Sequence, residues 1–293
     1  SFYAAVEDPQ RPLLSLPELR RLIHDAQELG VSILNLVGGE PLLRPDLAEI
    51  IASVDKSLST VVLFTNGWHL AERASELRRA GLDSVYVSLD AADAQHHDAL
   101  RGTPGLFDLA LAGLERARRQ GLSVGLSATL TPEAWADGEL ERLVTLAQRV
   151  RAHELLVFDA LPCGRLRHRD DLVDSGDWVE AMIRSAERWN ADPSYPGVVF
   201  SAWISSHRSV GCACGTSYLY LSPYGDVMSC DFNHAIFGNV RQEPLWRLWE
   251  RLSTHPDFVQ AKWGGCKVKD SAWLERPTVQ PGHALPVPPS LPV

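Results

Sequence analysis

Apolar and polar positions follow two rhythms along the first half of the chain: short continuous apolar runs, and longer stretches with a helical repeat. The runs at 33–37, 60–64, 84–89, 122–130 and 154–158 are predicted as buried strands. Ser15-Leu16-Pro17-Glu18 is a capping-box signature, Leu19, Leu22, Ile23 and Ala26 form an apolar stripe behind it, and Gly30 closes that helix. Helices are predicted between the strands at about 46–54, 70–80, 106–120 and 138–149, two of them ending on Gly81 and Gly121. Strands alternating with amphipathic helices make βαβ units and a parallel sheet. The first helix has no strand before it, and a strand upstream of Ser1 would complete six units. The expected fold is α/β, a partial (β/α)6 barrel with its first strand outside this sequence.

Past Pro162 the rhythm fails. A helix over 174–190, with Trp178, Met182 and Ile183 inward, leads to a polar, aromatic stretch, a cysteine-rich region and a Pro-rich tail from Pro277 that reads as disordered. The 293 residues are 45% hydrophobic, enough for a large core. The net charge of −9, with no Lys/Arg run, argues against nucleic acid as the main partner and mildly favours a cationic or neutral substrate. No apolar stretch has membrane-spanning length and no signal peptide opens the chain, so a cytoplasmic protein with no membrane partner is expected. Five cysteines, four of them between 212 and 266, favour metal or cluster ligation over disulfides.

Polar residues gather where the strands end. The strand at 33–37 runs into Gly38-Gly39-Glu40-Pro41, the next into Thr65-Asn66-Gly67, the third into Ser88-Leu89-Asp90, and Arg101-Gly102 comes after them. Carboxylates at the C-terminal tips of parallel strands sit where barrels place their chemistry. Taken in order, these four motifs resemble the radical S-adenosylmethionine (SAM) superfamily over about residues 3–165. The resemblance implies that Gly38, Gly39 and Glu40 hold the amino group of SAM, and an ammonium does want a carboxylate and backbone acceptors at close range. It implies that Ser88 and Asp90 take the ribose hydroxyls and that Arg101 pairs with the methionine carboxylate. Thr65, Asn66, Ser127 and Thr129 would complete the set. Read alone, Asn66-Gly67 is also a turn signal, Ser127 and Thr129 are ordinary strand residues, and Arg101 is a solvated surface charge. The family's Cys-x-x-x-Cys-x-x-Cys loop, which holds a [4Fe–4S] cluster, does not occur in these residues. Ser1-Phe2-Tyr3-Ala4-Ala5 resembles the family's chain just past that loop, so the loop is expected immediately upstream.

In the tail, Cys212-Ala213-Cys214 and Cys230 flank a stretch around Pro223-Tyr224-Gly225-Asp226 that reads as a β-hairpin. Phe237-Gly238-Asn239-Val240 and a helix with Leu245, Trp246, Leu248 and Trp249 come next. This order resembles the SPASM/twitch extension of radical SAM enzymes, a small α+β domain binding auxiliary clusters. Cys212, Cys214, Cys230 and Cys266 suffice for one auxiliary [4Fe–4S] cluster, with one of the tight Cys212/Cys214 pair a bystander where substrate or water completes the iron. Four cysteines suit structural zinc equally. Cys163 reads as a small apolar filler and Arg165 as a structural or substrate-facing residue. The expected layout is a barrel over 1–165, a connecting helix and linker over 166–205, the cluster domain over 206–276 and the tail over 277–293.

The activity implied by the resemblance is reductive cleavage of SAM to a 5′-deoxyadenosyl radical and hydrogen abstraction from a small-molecule or peptide substrate. The auxiliary cluster would take part in substrate oxidation or modification, and a flavodoxin or ferredoxin would supply electrons. Two other classes stay open on the sequence alone. One is a non-catalytic SAM- or metal-binding scaffold, and the other a (β/α) barrel hydrolase with a zinc-binding tail. The hydrolase would need an acid/base set, and the adjacent pair His96-His97 reads as solvated.

Overall fold

The computed structural model describes residues 10–163, 166, 168–172, 176–206, 209, 211–233, 235–259 and 266–269. Arg165 and the Pro-rich tail lie outside them. Two compact units are present. One comprises Leu19–Ala160 and Gly176–Ser201, and the other comprises the residues up to Glu18, Leu161–Ser175 and those from Ala202 onward.

The larger unit follows the predicted βα rhythm. Its elements are α1 (Leu16–Glu28, whose first turn belongs to the other unit), β1 (Ile33–Leu36), α2 (Leu47–Ala52), β2 (Thr60–Thr65), α3 (Leu70–Ala80) and β3 (Ser84–Ser88). They continue with α4 (Ala94–Arg101), α5 (Leu106–Arg119), β4 (Ser123–Leu130), α6 (Pro132–Ala136), α7 (Glu139–Arg149), β5 (Glu154–Asp159), α8 (Gly176–Asn190) and β6 (Gly197–Phe200). The six strands form one parallel sheet in sequence order, as in a barrel and unlike a doubly wound sheet, where the order reverses. Val61 and Leu63 of β2, Val85 and Val87 of β3, and Leu155 and Val157 of β5 are buried. Their in-between neighbours Val62, Phe64, Tyr86, Leu156 and Phe158 are only half-buried, so the sheet keeps one more open face. On that face Phe64 and Tyr86 stack with ring centroids 4.9 Å apart. Residue 125 must be glycine beneath them, because a Cβ there would lie 2.5 Å from the Tyr86 ring. The strand β6, which the periodicity did not reveal, pairs in parallel with β5. Asn190 at the end of α8 fixes it, donating to the Val198 carbonyl and accepting from the Val198 N–H at 2.9 and 2.8 Å.

The smaller unit holds α9 (Ser201–Ile204, whose first residue belongs to the other unit), β7 (Tyr220–Leu221), β8 (Asp226–Met228), β9 (Ile236–Asn239), α10 (Leu245–Ser253) and α11 (Pro256–Val259). β7, β8 and β9 form an antiparallel sheet, and the predicted hairpin is its first turn. α10 buries Leu245, Leu248 and Leu252 and leaves Trp246 exposed. Among the described residues no helix is long and apolar enough to cross a membrane.

Candidate functional site

The larger unit brings the strand-tip residues together in linked pairs. Gly38 has φ 147°, a conformation open to glycine, and no atom lies within 4 Å of where its Cβ would be. Gly39, beside it, is equally unobstructed. The Glu40 carboxylate is tied to the neighbouring strand end. Its Oε1 accepts from Thr65 Oγ1 at 2.7 Å and from the Leu42 N–H at 3.0 Å, and its Oε2 accepts from the Asn66 N–H at 2.8 Å. Three donors therefore fix both oxygens. The Asn66 side chain is engaged locally, accepting from the Trp68 N–H at 2.9 Å, so at that side chain the turn reading holds.

A second link joins the tips of β3 and β4. Ser88 and Ser127 are register partners with their hydroxyls 3.2 Å apart. Asp90 Oδ1 accepts from the Thr129 N–H at 3.0 Å, and Asp90 Oδ2 pairs with Arg101 at 2.7 Å. Arg101 is exposed as a residue but its guanidinium is ion-paired with Asp90, so it is a partnered surface charge. His97 also departs from expectation. The helix α4 is capped by Asp93, whose side chain accepts from the His96 N–H at 2.8 Å. That start turns His96 outward and His97 inward, where His97 is fully buried. His97 Nδ1 accepts from the Asp90 N–H at 3.2 Å, so the proton sits on Nε2, which has no partner. Burial lowers its pKa, and the ring stays neutral. Sequence reading also passed over Tyr86, whose hydroxyl donates to Glu154 at 2.6 Å on the open face of the sheet. Burial first, then that bond, raise the tyrosine pKa.

In the smaller unit Cys212, Cys214 and Cys230 lie near one another. Cys214 lies close enough to Cys212 and Cys230 for the three thiols to shift one another's titration. Backbone N–H groups also point at the sulfurs, Phe232 to Cys230 at 3.3 Å and Lys267, next to Cys266, to Cys212. Cys214 is the largest influence on the Cys212 thiol and draws it down to about 6, while Cys214 is correspondingly pushed up. Cys214 lowers the Cys230 thiol too, but burial and the Asp231 charge leave it above its ordinary value. Cys230 Sγ donates to Asp231 Oδ1 at 3.3 Å. Cys163 belongs to this unit as well. Burial pushes its thiol up to about 12, and the charges of Cys230 and Asp231 add to the rise. The thiols form a run and not a compact triad, for among the described residues no three His, Cys, Asp or Glu side chains are grouped to hold one metal ion.

Comparison with known proteins agrees with both halves. The profile of the radical SAM superfamily matches residues 2–147, and that of an iron–sulfur cluster-binding domain, SPASM, matches residues 212–267. GTP 3′,8-cyclase of Mycobacterium marinum is 32% identical over 290 residues, covering 86% of this chain and 79% of that protein. The chain belongs to the radical SAM superfamily. A second relative, AdoMet-dependent heme synthase of Methanosarcina barkeri, is 29% identical over 282 residues, 87% of this chain and 80% of its own length. Among solved structures, Streptococcus suis SuiB bound to precursor peptide SuiA matches with a TM-score of 0.68 at 13% identity, over 96% of this chain and 71% of that one. The protein anSMEcpe with bound AdoMet matches at 0.64 and 14% identity, over 91% and 85%. These likenesses establish the fold of a radical SAM enzyme.

Membership brings SAM and [4Fe–4S] clusters, an auxiliary one among them, as cofactors. The smaller unit fits such a cluster. Its donors are soft thiols, with N–H groups directed at Cys230 and Cys212, and hydrogen bonds to sulfur are among the means by which proteins tune these clusters. The larger unit fits SAM, with an unobstructed glycine pair beside a carboxylate of fixed orientation.

Proposed function

We propose that this radical SAM enzyme binds SAM at the strand tips of its parallel sheet and abstracts hydrogen from a small-molecule or peptide substrate in the cytoplasm. The auxiliary [4Fe–4S] cluster takes part in oxidising or modifying that substrate. The observation that carries the reading is the pairing of Glu40 with Thr65 and Asn66, and of Asp90 with Thr129 and Arg101, on successive strand ends. The first fixes a carboxylate for the SAM ammonium beside the unobstructed Gly38 and Gly39 backbone. The second sets Asp90, with Ser88 and Ser127 next to it, for the ribose hydroxyls. Arg101, ion-paired with Asp90 at 2.7 Å, carries five N–H donors with which to meet the methionine carboxylate as well. Phe64, Tyr86 and Glu154 on the open sheet face offer substrate an aromatic surface and a carboxylate already carrying one hydrogen bond. When bound, the cofactors supply reductive SAM cleavage and a radical, fed by a flavodoxin- or ferredoxin-type donor.

The names of the sequence relatives point to small molecules, and that of SuiB to a peptide, so both classes enter a substrate screen. The first test needs no substrate. The full gene product, reconstituted anaerobically with iron and sulfide and reduced with dithionite, is incubated with SAM, and 5′-deoxyadenosine and methionine are measured by mass spectrometry. Equal release of the two is expected. Intact clusters with no SAM cleavage would refute the enzymatic reading and leave the scaffold.

A further inference from the structure

We propose that His97 is a positioning residue of the SAM site: it holds the main chain of Asp90 so that the Asp90 carboxylate stays aimed at the ribose hydroxyls. The proposal rests on the reading of Asp90 as a ribose-binding group and adds to it a buried residue that acts through Asp90.

The backbone ladder between β3 and β4 ends with the Leu89 N–H, which donates to the Ser127 carbonyl at 2.8 Å. Beyond it side chains take over. The Asp90 N–H donates to His97 Nδ1 at 3.2 Å, and the Ala92 N–H donates to Glu139 Oε1 at 2.7 Å. Both acceptors belong to buried residues, one on α4 and one on α7. The Asp90 carboxylate is tied separately, to the Thr129 N–H and to Arg101. His97 and Arg101 are four residues apart on α4, so they share one face of that helix. From this face one takes the Asp90 main chain and the other takes its carboxylate. The helix is itself fastened at both ends. Asp93 caps its start, and Asp98 accepts from the N–H groups of Gly105 and Phe107, which ties α4 to the first turn of α5. The Phe107 ring there lies against His97, with centroids 5.8 Å apart.

The plain alternative is that His97 only fills the core beside Phe107. Leucine would serve packing as well, and histidine carries a cost that leucine does not. Its Nε2–H is buried and has no partner among the described residues, and a buried donor left unpaired is unfavourable. What histidine supplies in exchange is the Nδ1 acceptor for Asp90.

The test compares His97→Leu with His97→Asn in the full gene product, reconstituted anaerobically. The two replacements have the same branched shape, but only asparagine carries an acceptor where Nδ1 stands. Calorimetric titration gives the Kd of SAM and of its 2′-deoxy and 3′-deoxy analogues, with thermal unfolding in parallel. The parent is expected to bind at least one analogue roughly 10-fold or more weakly than SAM, the loss of a hydrogen bond to a charged group. His97→Leu is expected to shrink that preference to within about 3-fold, and His97→Asn to keep it. His97→Phe, which retains a ring against Phe107, replaces the leucine variant if that one does not fold. A packing role changes the melting temperature and affects SAM and its analogues alike; an intact preference in His97→Leu would therefore overturn the proposal. Equal loss of preference in the leucine and asparagine variants would overturn it too, because the acceptor would then not matter. A parent that binds SAM yet does not distinguish the analogues would overturn the ribose reading of Asp90 itself, and the role of His97 with it.

Discussion

Replacing Glu40 by Gln separates a SAM-binding carboxylate from a merely structural one. In the parent, Oε1 takes two donors, Thr65 Oγ1 at 2.7 Å and the Leu42 N–H at 3.0 Å, and Oε2 takes the Asn66 N–H at 2.8 Å. Glutamine has one oxygen and one NH2 at these places. Whichever way it turns, its NH2 faces at least one donor, so one half-buried hydrogen bond is lost, at a cost to stability of about 1 kcal/mol. The effect on SAM is larger, because a charge-assisted bond from the ammonium disappears. Such bonds contribute about 1.5–3 kcal/mol, which converts to roughly a 10- to 150-fold weaker Kd. The assay is calorimetric titration of SAM into the anaerobic, reconstituted full gene product, with thermal unfolding in parallel. Thr65→Val is the control: it removes one of the donors that orient Glu40 but keeps the charge, and SAM affinity is expected to fall by no more than about 10-fold. If Glu40→Gln lowers the melting temperature and leaves SAM affinity within about 2-fold of the parent, the carboxylate only ties β1's tip to that of β2, and the assignment of the amino-group site fails.

Two further predictions concern stability and are read by thermal unfolding. In the smaller unit Asp226 accepts two bonds from Arg11 at 2.8 and 2.9 Å, one from Asn239 at 2.8 Å and one from Ser222 at 3.1 Å; Asp226→Ala strands these donors and is expected to cost about 2–4 kcal/mol. Burial alone would raise the Asp226 carboxyl, but Arg11 and its other donors hold it below its ordinary 3.8. Its contribution is therefore complete above pH 3.8 and is lost as pH falls through the lower folded value, so the variant's deficit should shrink only in that acid range. Arg151 has φ 57° just after α7, where the bonds from Arg151 to Gln148 and from Ala152 to Ala147 make a helix-ending turn that glycine suits better. Arg151→Gly should stabilise by about 0.5–1 kcal/mol, and a fall in melting temperature would show that the side chain holds something in place.

The parts legible in the sequence were those in which one local pattern decides the outcome. Apolar runs of strand length gave β1 to β5, and a carboxylate directly after two glycines marked Glu40. The parts that escaped depended on partners distant in the chain. β6 is four residues long, opens on glycine, and is held by the side chain of Asn190 and its pairing with β5, neither of which shows as periodicity. His96 and His97 look alike as a pair, yet Asp93, by capping α4, sends one to solvent and the other under Asp90, so a helix start three residues away decides their roles. The same holds for chemistry. Glu40 and Thr65 are 25 residues apart and Asp90 and Thr129 are 39 apart, and only the register of a parallel sheet makes each a pair. A motif at a strand tip therefore names a reactive group, while its orientation is set by the neighbouring strand.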